Sequence, residues 1–237
     1  MTQVATKRAV VRLGREQRVG EILAAAREVF AKQSYDGTAT SEIADRAGVV
    51  EGTVYKYFQT KRELLLKAIE SWYEGLVQDY ARDLSGIQGT RQRFRFLVWR
   101  HLCAIRDDAS LSGLMFSEVR PKEDYHHSAL HMMNRRYTRF LTDVIREGIQ
   151  SGEFRSDIPL ALVRDMVFGG IEHHTWNFVR GRGRLQAESI ADQITSLVCD
   201  GLALRRPGDA LRREIDRLTA VSRKMEKALE RKSRRKC

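Results

Sequence analysis

The spacing of apolar positions predicts helices along most of the chain. Apolar residues recur at three- and four-residue intervals from Val19 to Phe30, which predicts an amphipathic helix that ends near Gln33. No strand-like alternation of useful length follows it. The same helical spacing predicts five further segments, at 91–106, 110–119, 123–150, 160–179 and 186–204. The pattern therefore predicts an all-α protein.

The stretch 38–63, TATSEIADRAGVVEGTVYKYFQTKRE, carries the most specific local pattern. Ala44 precedes Gly48 by four residues, and Val54 follows Gly48 by six. A small residue at the helix crossing, a Gly that can adopt left-handed backbone and an apolar anchor in the second helix are typical of a helix-turn-helix. The residues predicted to face inward are Ile43, Ala44, Ala47, Val54 and Phe58. We therefore predict a DNA-binding head.

This stretch also resembles the tetracycline-repressor (TetR) family of bacterial regulators. The matching residues are Ile43-Ala44, Ala47-Gly48-Val49, Gly52-Thr53-Val54-Tyr55, Tyr57-Phe58, Lys61 and Leu64-Leu65. Two positions depart from the family pattern: Val50 stands where Ser or Ala is usual, and Ser34 where Gly commonly precedes the Tyr. The first departure removes a hydroxyl that could cap the recognition helix and contact a phosphate.

The resemblance implies a three-helix N-terminal head joined to a helical effector-binding and dimerisation domain. In the family, the last two helices of that domain form a four-helix interface with the partner, and here the candidates are 160–179 and the segment from 186. Gly169-Gly170 inside a helix indicates either close helix packing or space for a ligand, and we prefer close packing. The predicted divisions are a basic flexible arm at 1–14, the helix-turn-helix domain at 15–60, the helical ligand-binding and dimerisation domain at 61–205, and an extra basic amphipathic helix and tail at 206–237. We expect that last helix to dock on the body or on the partner.

The predicted DNA contacts lie around the recognition helix, 51–58. Gly52 lets the backbone approach the duplex, and Thr53 and Lys56 can reach phosphates or base edges. The resemblance adds Tyr55 and Tyr57. Glu51 either accepts from a cytosine amino group or, as we prefer, lies along the rim of the groove.

Thr40 and Lys61 complete the predicted DNA-binding set. Thr40 is a plausible N-cap for the first helix of the motif. Thr60-Lys61-Arg62-Glu63 has the pattern of a capping box, with Thr60 as N-cap. Positive charge at a helix N-terminus is unfavourable unless a phosphate lies there. Lys61 is therefore predicted to anchor a phosphate, a role that the family resemblance also implies.

Charge changes this picture only at the two ends of the chain. The net charge of +11 divides into +3 over 1–70, zero over 71–204 and +8 over 205–237. A basic head and a strongly basic tail fit a nucleic-acid partner, although a run of charge can also be a solvated face. The basic arm can contact phosphates or a minor groove, or remain a solvated tail.

Composition excludes several classes of protein. No apolar run reaches the roughly 18 residues that span a bilayer, so we expect no membrane insertion. The N-terminus has no secretory pattern, and the three Cys are odd in number and widely spaced, which favours a cytoplasmic protein without disulfides. We find no motif for a cofactor or for catalysis, and expect no enzyme activity. His127 and His131 could share one helix face, but without a third ligand we predict no metal site.

Polar and aromatic residues inside the apolar helices are the candidates for an effector site. Buried polar groups need partners, and a ligand can supply some of them. The predicted ligand-binding residues are Trp99, His101, Met115, Phe116, His131, Tyr137, Glu172, His173 and Trp176. Their composition favours an apolar or acyl-CoA-like effector. The arginines at 91, 93, 95 and 100 either hold an anionic group or, as we prefer, form a solvated face.

These observations favour a homodimeric transcriptional repressor that binds a pseudo-palindromic double-stranded DNA operator and is released by a small-molecule effector. The alternative is a DNA-binding adaptor whose body binds a protein. A closed apolar cavity would favour the sensor, whereas a filled core with an exposed apolar patch would favour the adaptor.

Overall fold

The structure, a computed structural model, describes residues 14–204 and the positions 215, 217–219, 221, 222 and 225. The predicted arm, apart from Gly14, and most of the predicted C-terminal helix lie outside the described residues. Within 14–204 the elements are α1 (Arg15–Lys32), α2 (Thr40–Arg46), α3 (Glu51–Tyr57), α4 (Lys61–Leu84), α5 (Thr90–Asp107), α6 (Ala109–Leu114), a π-helical turn (Met115–Val119), a 3-10 turn (Glu123–His127), α7 (Ala129–Gln150), α8 (Leu160–Val179) and α9 (Ala187–Leu202). This part of the chain contains one isolated β-bridge and no strand, so the all-α prediction is confirmed.

Helices α1 to α3 form the head around a small apolar core. Ile22 and Phe30 of α1 are fully buried, and they pack in one cluster with Ile43 and Val54 of the predicted helix-turn-helix. Burial of each large side chain contributes about 1.5–3 kcal/mol, which offsets the entropy of ordering these short helices. Of the five residues predicted to face inward, four are buried and Ala47 is half-buried.

The long helix α4 belongs to both the head and the body. Leu65 and Ile69 near its start are fully buried, and Leu76 and Tyr80 further along are buried as well. The helix packs against α1 at one end and against α7 and α5 towards the other. This helix is therefore the direct covalent and packing connection between the head and the body.

The body is a bundle of α4 to α9 in which α5 and α9 make the most extensive pairing. Two arginines of α5 form ion pairs across that contact. Arg91 Nη1 lies 2.6 Å from Asp200 Oδ1, and Arg95 Nε lies 2.5 Å from Asp192 Oδ1. The neighbouring Arg93 pairs with Glu147. These side chains join α5 to α9 and α7 through ion pairs, a role that the sequence did not predict.

Two of the predicted segments are interrupted. The segment predicted at 110–119 is α6 followed by the π-helical turn. The segment predicted at 123–150 breaks at Ser128, whose hydroxyl accepts a hydrogen bond from the backbone N–H of His131 at 3.2 Å and caps α7. His127 therefore lies in the 3-10 turn and His131 in α7, and the prediction that they share one helix face is wrong.

Beyond the body, the described positions of the C-terminal segment are helical but uncovered. Ile215, Leu218, Val221 and Met225 are all exposed. The expected docking of this helix on the body is therefore not found at these positions.

Candidate DNA-binding surface and effector site

The turn between α2 and α3 has the geometry that the sequence predicts. Gly48 has a φ of 65°, in the left-handed region where a Cβ would be strained. Its N–H donates to the Asp45 carbonyl at 3.1 Å, and the next N–H, of Val49, donates to the Ala44 carbonyl at 3.0 Å. These bonds close the end of α2 and direct the chain into α3, which begins one residue after Val50.

The outer face of α3 presents the predicted contact residues. Glu51, Gly52, Tyr55 and Lys56 are exposed, and Thr53 and Tyr57 are half-buried. Val50 was not among the predicted contacts, yet its side chain is 73% exposed at the start of α3. An exposed branched apolar side chain in that place is suited to contact a thymine methyl group or a deoxyribose.

Thr40 has a different place from the one predicted. The N-cap of α2 is Ala39, because Thr40 is already helical and only 7% exposed. Its hydroxyl oxygen accepts from the Tyr55 hydroxyl at 3.3 Å. Thr40 is thus not a helix cap, and it contacts the exposed face of α3 through Tyr55.

The ammonium of Lys61 is directed into the head. Its Nζ donates to the carbonyl oxygens of Tyr35 at 2.9 Å and Thr38 at 3.0 Å, and lies 4.6 Å from the centre of the Tyr35 ring. The lysine therefore joins the α1–α2 loop to the start of α4. Nothing in this arrangement directs Lys61 towards a phosphate.

The start of α4 is capped largely as the pattern indicates. The Thr60 hydroxyl accepts from the Glu63 N–H at 3.0 Å, but the Glu63 carboxylate accepts from the N–H of Gln59, at 2.7 Å, instead of that of Thr60. Arg62, the second residue of α4, extends to the body. Its guanidinium donates to the Glu118 carbonyl at 2.8 Å and to the Asp124 carboxylate at 3.1 and 3.3 Å.

A small cavity lies inside the body between α4, α5, α6 and α7. Its volume is about 10 Å³, which is room for a single water molecule. Most of its lining is apolar or aromatic. The lining residues are Trp72, Tyr73, Leu76, His101, Ala104, Ile105, Ser112, Met115, Phe116 and Tyr137.

A chain of hydrogen bonds runs along one wall of this cavity. The hydroxyls of Tyr80 and Tyr137 are 2.5 Å apart, and the Tyr137 hydroxyl is 2.8 Å from Nδ1 of His101. Burial, with a smaller effect of the nearby Arg120 charge, lowers the pKa of His101 to about 3. Burial also raises the pKa of both tyrosines. The chain is therefore electrically neutral near pH 7.

A larger, open cleft of about 510 Å³ lies on the surface between α7 and α8. Three arginines, Arg120, Arg135 and Arg164, line it against one carboxylate, Asp165. Arg120 also pairs with Glu172, whose pKa is raised because burial disfavours its charge more than Arg120 stabilises it. The cleft can receive an anion, and none of its arginines was among the predicted ligand residues.

Phe168 connects the lining of the cleft with that of the cavity. It lines the cleft, and its ring centre lies 4.9 Å from that of His101 and 6.0 Å from that of Tyr137, which both line the cavity.

The structure brings together six of the nine predicted ligand residues. His101, Met115, Phe116 and Tyr137 line the cavity, His131 lines the cleft, and Glu172 is held beside it by Arg120. The ring centre of Trp176 lies 6.2 Å from that of Phe116, and Trp176 lines a separate crevice between head and body.

The other two candidates lie elsewhere. Trp99 donates to Glu188 of α9 at 2.5 Å, and His173 is exposed on α8. Helical periodicity alone does not show which face of a helix lines the cavity or cleft and which lies elsewhere on the surface.

The described residues contain neither a metal site nor a membrane-spanning helix. No group of three or more His, Cys, Asp and Glu side chains there is placed to hold a metal ion. None of the described helices has the length and apolarity that crossing a membrane requires.

Comparison with known proteins gives two family matches. Residues 22–68 match the model of bacterial regulatory proteins of the tetR family, and residues 88–202 match a tetracyclin repressor-like C-terminal domain. Together these matches span the head and the body.

Relatives of similar length support the same assignment. A fatty acid metabolism regulator protein of Bacillus subtilis is 24% identical over 182 residues, which is 77% of this chain and 94% of that protein. The transcriptional repressor KstR2 of Mycobacterium tuberculosis is 27% identical over 198 residues, covering 78% and 92%. The crystal structure of FadR from Bacillus subtilis in complex with stearoyl-CoA shares the fold, with a TM-score of 0.69 and 24% identity over 77% of this chain and 98% of that one. The chain belongs to the TetR family and is a DNA-binding transcriptional regulator.

Proposed function

We propose that this regulator is a homodimeric repressor that an amphipathic acyl-CoA thioester releases from a pseudo-palindromic operator. One observation carries the proposal: the short segment 112–124 lines the cavity at one end and holds the head at the other. Ser112, Met115 and Phe116 face the cavity, whereas Glu118 and Asp124 accept hydrogen bonds from Arg62.

This segment is suited to transmit a change because part of it is π-helical. A π-turn inserts extra backbone into a helix and is frequent at functional sites. An apolar chain that enters the cavity must displace part of its lining, because the cavity has room for about one water molecule, and we propose that Met115 or Phe116 moves. Met side chains adapt readily to such a change. A shift of the turn then moves the acceptors of Arg62 at the base of the head.

The cleft and the cavity together fit a ligand with two chemically different parts. The arginines of the cleft would bind the phosphates of the coenzyme A group, and Arg120 would exchange Glu172 for a ligand anion. The apolar cavity would widen to take the acyl chain once Phe168 rotates. The nearly filled core by itself fits the alternative of a protein partner, but the stearoyl-CoA complex of FadR, which has a similar fold, favours this ligand class.

Exposed apolar residues support dimerisation through α8 and α9. Leu162 and Met166 of α8 and Leu197 of α9 are between 50% and 78% exposed. Gly169 and Gly170 continue the α8 face, and a Cβ on either would meet no atom of the described residues within 4 Å. The close packing expected at these glycines is therefore not made by the part of the chain that the structure describes, and we propose that a partner's helices provide it.

Each head would then insert α3 into one of two major grooves about 34 Å apart. We propose that Thr53, Tyr55, Lys56 and Tyr57 make the DNA contacts, with Gly52 allowing close approach. Glu51 would lie along the rim of the groove. Thr40 and Lys61 would act indirectly, by holding the exposed face of α3 and the loop before α2.

Operator binding measured across salt concentrations, with and without octadecanoyl-CoA, tests the proposal. We expect a dimer on the operator, an affinity that falls with salt, and a further loss of at least fivefold with the thioester. Operator affinity that is unchanged while octadecanoyl-CoA is demonstrably bound would refute the switch.

A further inference from the structure

The hydroxyl of Ser112 is buried without a hydrogen-bond partner. The residue is 1% exposed on α6, and its backbone N–H donates to the Asp108 carbonyl at 2.9 Å. Its Oγ finds no partner among the described residues. A helical Ser commonly donates to a carbonyl one turn earlier, and a buried hydroxyl left unpaired destabilises the fold by about 1–3 kcal/mol.

Ser112 lies in the wall of the cavity, and its hydroxyl bonds to none of the other polar groups there. His101 and Tyr137 line the same cavity and bond to each other, and Tyr137 bonds also to Tyr80. The indole N–H of Trp72 donates to Asp108, and the Tyr73 hydroxyl is the other polar group of the lining. Because none of these described groups pairs with the Ser112 hydroxyl, a partner for it must occupy the cavity itself.

Two kinds of oxygen can meet that requirement. One is a water molecule, for which the cavity has room. The other is an oxygen of the effector, which occupies this space once the cavity opens. A purely hydrocarbon chain would expel the water and leave Ser112 unpaired in a dry site. A site with a buried hydrogen-bonding group discriminates against ligands that cannot satisfy it.

We propose that Ser112 selects effectors whose apolar body carries an oxygen function, a hydroxyl or a carbonyl, at the position that meets its hydroxyl. This inference rests on the proposed function, because it assumes that the effector enters this cavity. It narrows the effector class from acyl thioesters in general to oxygenated ones. Ser112 is then a specificity-determining residue that donates to a carbonyl, or exchanges a hydrogen bond with a hydroxyl.

The test is direct binding of octadecanoyl-CoA and of a series of its hydroxy derivatives, with one hydroxyl at successive chain positions. Titration calorimetry on the full chain gives the dissociation constants. We expect one positional isomer to bind about tenfold more tightly than octadecanoyl-CoA, and Ser112→Ala to remove that advantage without weakening the unsubstituted thioester. Ser112→Cys, whose thiol is larger and forms only weak hydrogen bonds, should lose most of it.

Ser117→Ala makes the same chemical change at an exposed site of the same segment and should keep the preference. Equal binding of all thioesters, or a hydroxyl preference that survives in Ser112→Ala, would overturn the inference and leave the proposed function standing. A lower melting temperature of ligand-free Ser112→Ala without any hydroxyl preference would identify a structural water and also overturn it. No binding of any thioester would refute the proposed ligand class, and the inference with it.

Discussion

Arg62 and Glu118 join the head to the body, through a hydrogen bond of 2.8 Å from the Arg62 guanidinium to the Glu118 carbonyl. Arg62 is the second residue of α4, and Glu118 lies in the π-helical turn three residues after Met115 of the cavity wall. The two residues are 56 positions apart in sequence, and their contact gives the cavity a short physical route to the DNA-binding surface.

Replacing Arg62 should therefore weaken the response to the effector more than the binding of DNA. In the natural chain we expect the effector to lower operator affinity at least about fivefold. In Arg62→Met we expect most of that loss to disappear. Fluorescence anisotropy of labelled operator, with and without octadecanoyl-CoA, measures it. Lys67→Met is the control, because Lys67 pairs with Glu70 within α4. An equal loss of the response to the effector in both variants would contradict coupling through the Arg62–Glu118 contact.

Lys61→Met should destabilise the head and weaken binding to all DNA sequences alike. The substitution removes two charge-assisted hydrogen bonds, to Tyr35 and Thr38, that support the loop before α2. We expect the free energy of unfolding to fall by about 2 kcal/mol, as measured by urea denaturation. A selective loss for one operator sequence would show instead that Lys61 contacts bases.

Removing the charge of Glu51 distinguishes the two roles considered for it. This carboxylate is exposed in the first turn of α3, on the face that would meet DNA. If it lies along the rim, Glu51→Gln should strengthen binding a few-fold on every sequence, because repulsion of phosphates is relieved. Competition binding with operators changed one base pair at a time provides the measurement. Weaker binding confined to one C·G pair would favour the cytosine contact.

A charge on the outer face of α8 should separate the proposed dimer. Met166 is 68% exposed on that face, and Met132 of α7 is exposed to the same extent. We expect Met166→Glu to be monomeric in native mass spectrometry, because an unpaired carboxylate would be buried in the interface. Met132→Glu should remain a dimer. Dimers of both variants would place the interface elsewhere.

The lowered pKa of His101 predicts that the folded chain loses stability in mild acid. Its pKa is about 3 in the folded chain, against about 6.5 when unfolded, so between these values only the unfolded chain binds the proton. The stability is therefore complete above about pH 6.5 and is lost as pH falls towards 3, by up to about 1.4 kcal/mol per pH unit. Urea unfolding at pH 7, 6 and 5 should show this loss in the natural chain and a smaller one in His101→Asn. Identical slopes would contradict the assignment.

Local sequence signals were sufficient for the helices and for the turn of the head. The predicted segment 160–179 coincides with α8, because Pro159 marks its start and the Gly-rich loop at 181–183 marks its end. Gly48 marked the helix-turn-helix because left-handed backbone is a property of one residue type. The prediction of one helix over 123–150 was wrong because Ser128 caps α7 and interrupts the apolar pattern.

The functional contacts depended on tertiary structure. Lys61 and Arg62 are adjacent in sequence and equally basic, yet one bonds to carbonyls 23 and 26 residues away within the head and the other to a turn 56 residues away in the body. Ser112 resembles any helical serine until packing encloses its hydroxyl without a partner. The sequence by itself determined the family, the helices and the turn, since these follow from the nature and spacing of neighbouring residues. Only the tertiary structure decided which charges are exposed on α3, which join the head to the body and which polar groups are buried without a partner, because those properties depend on residues distant in sequence.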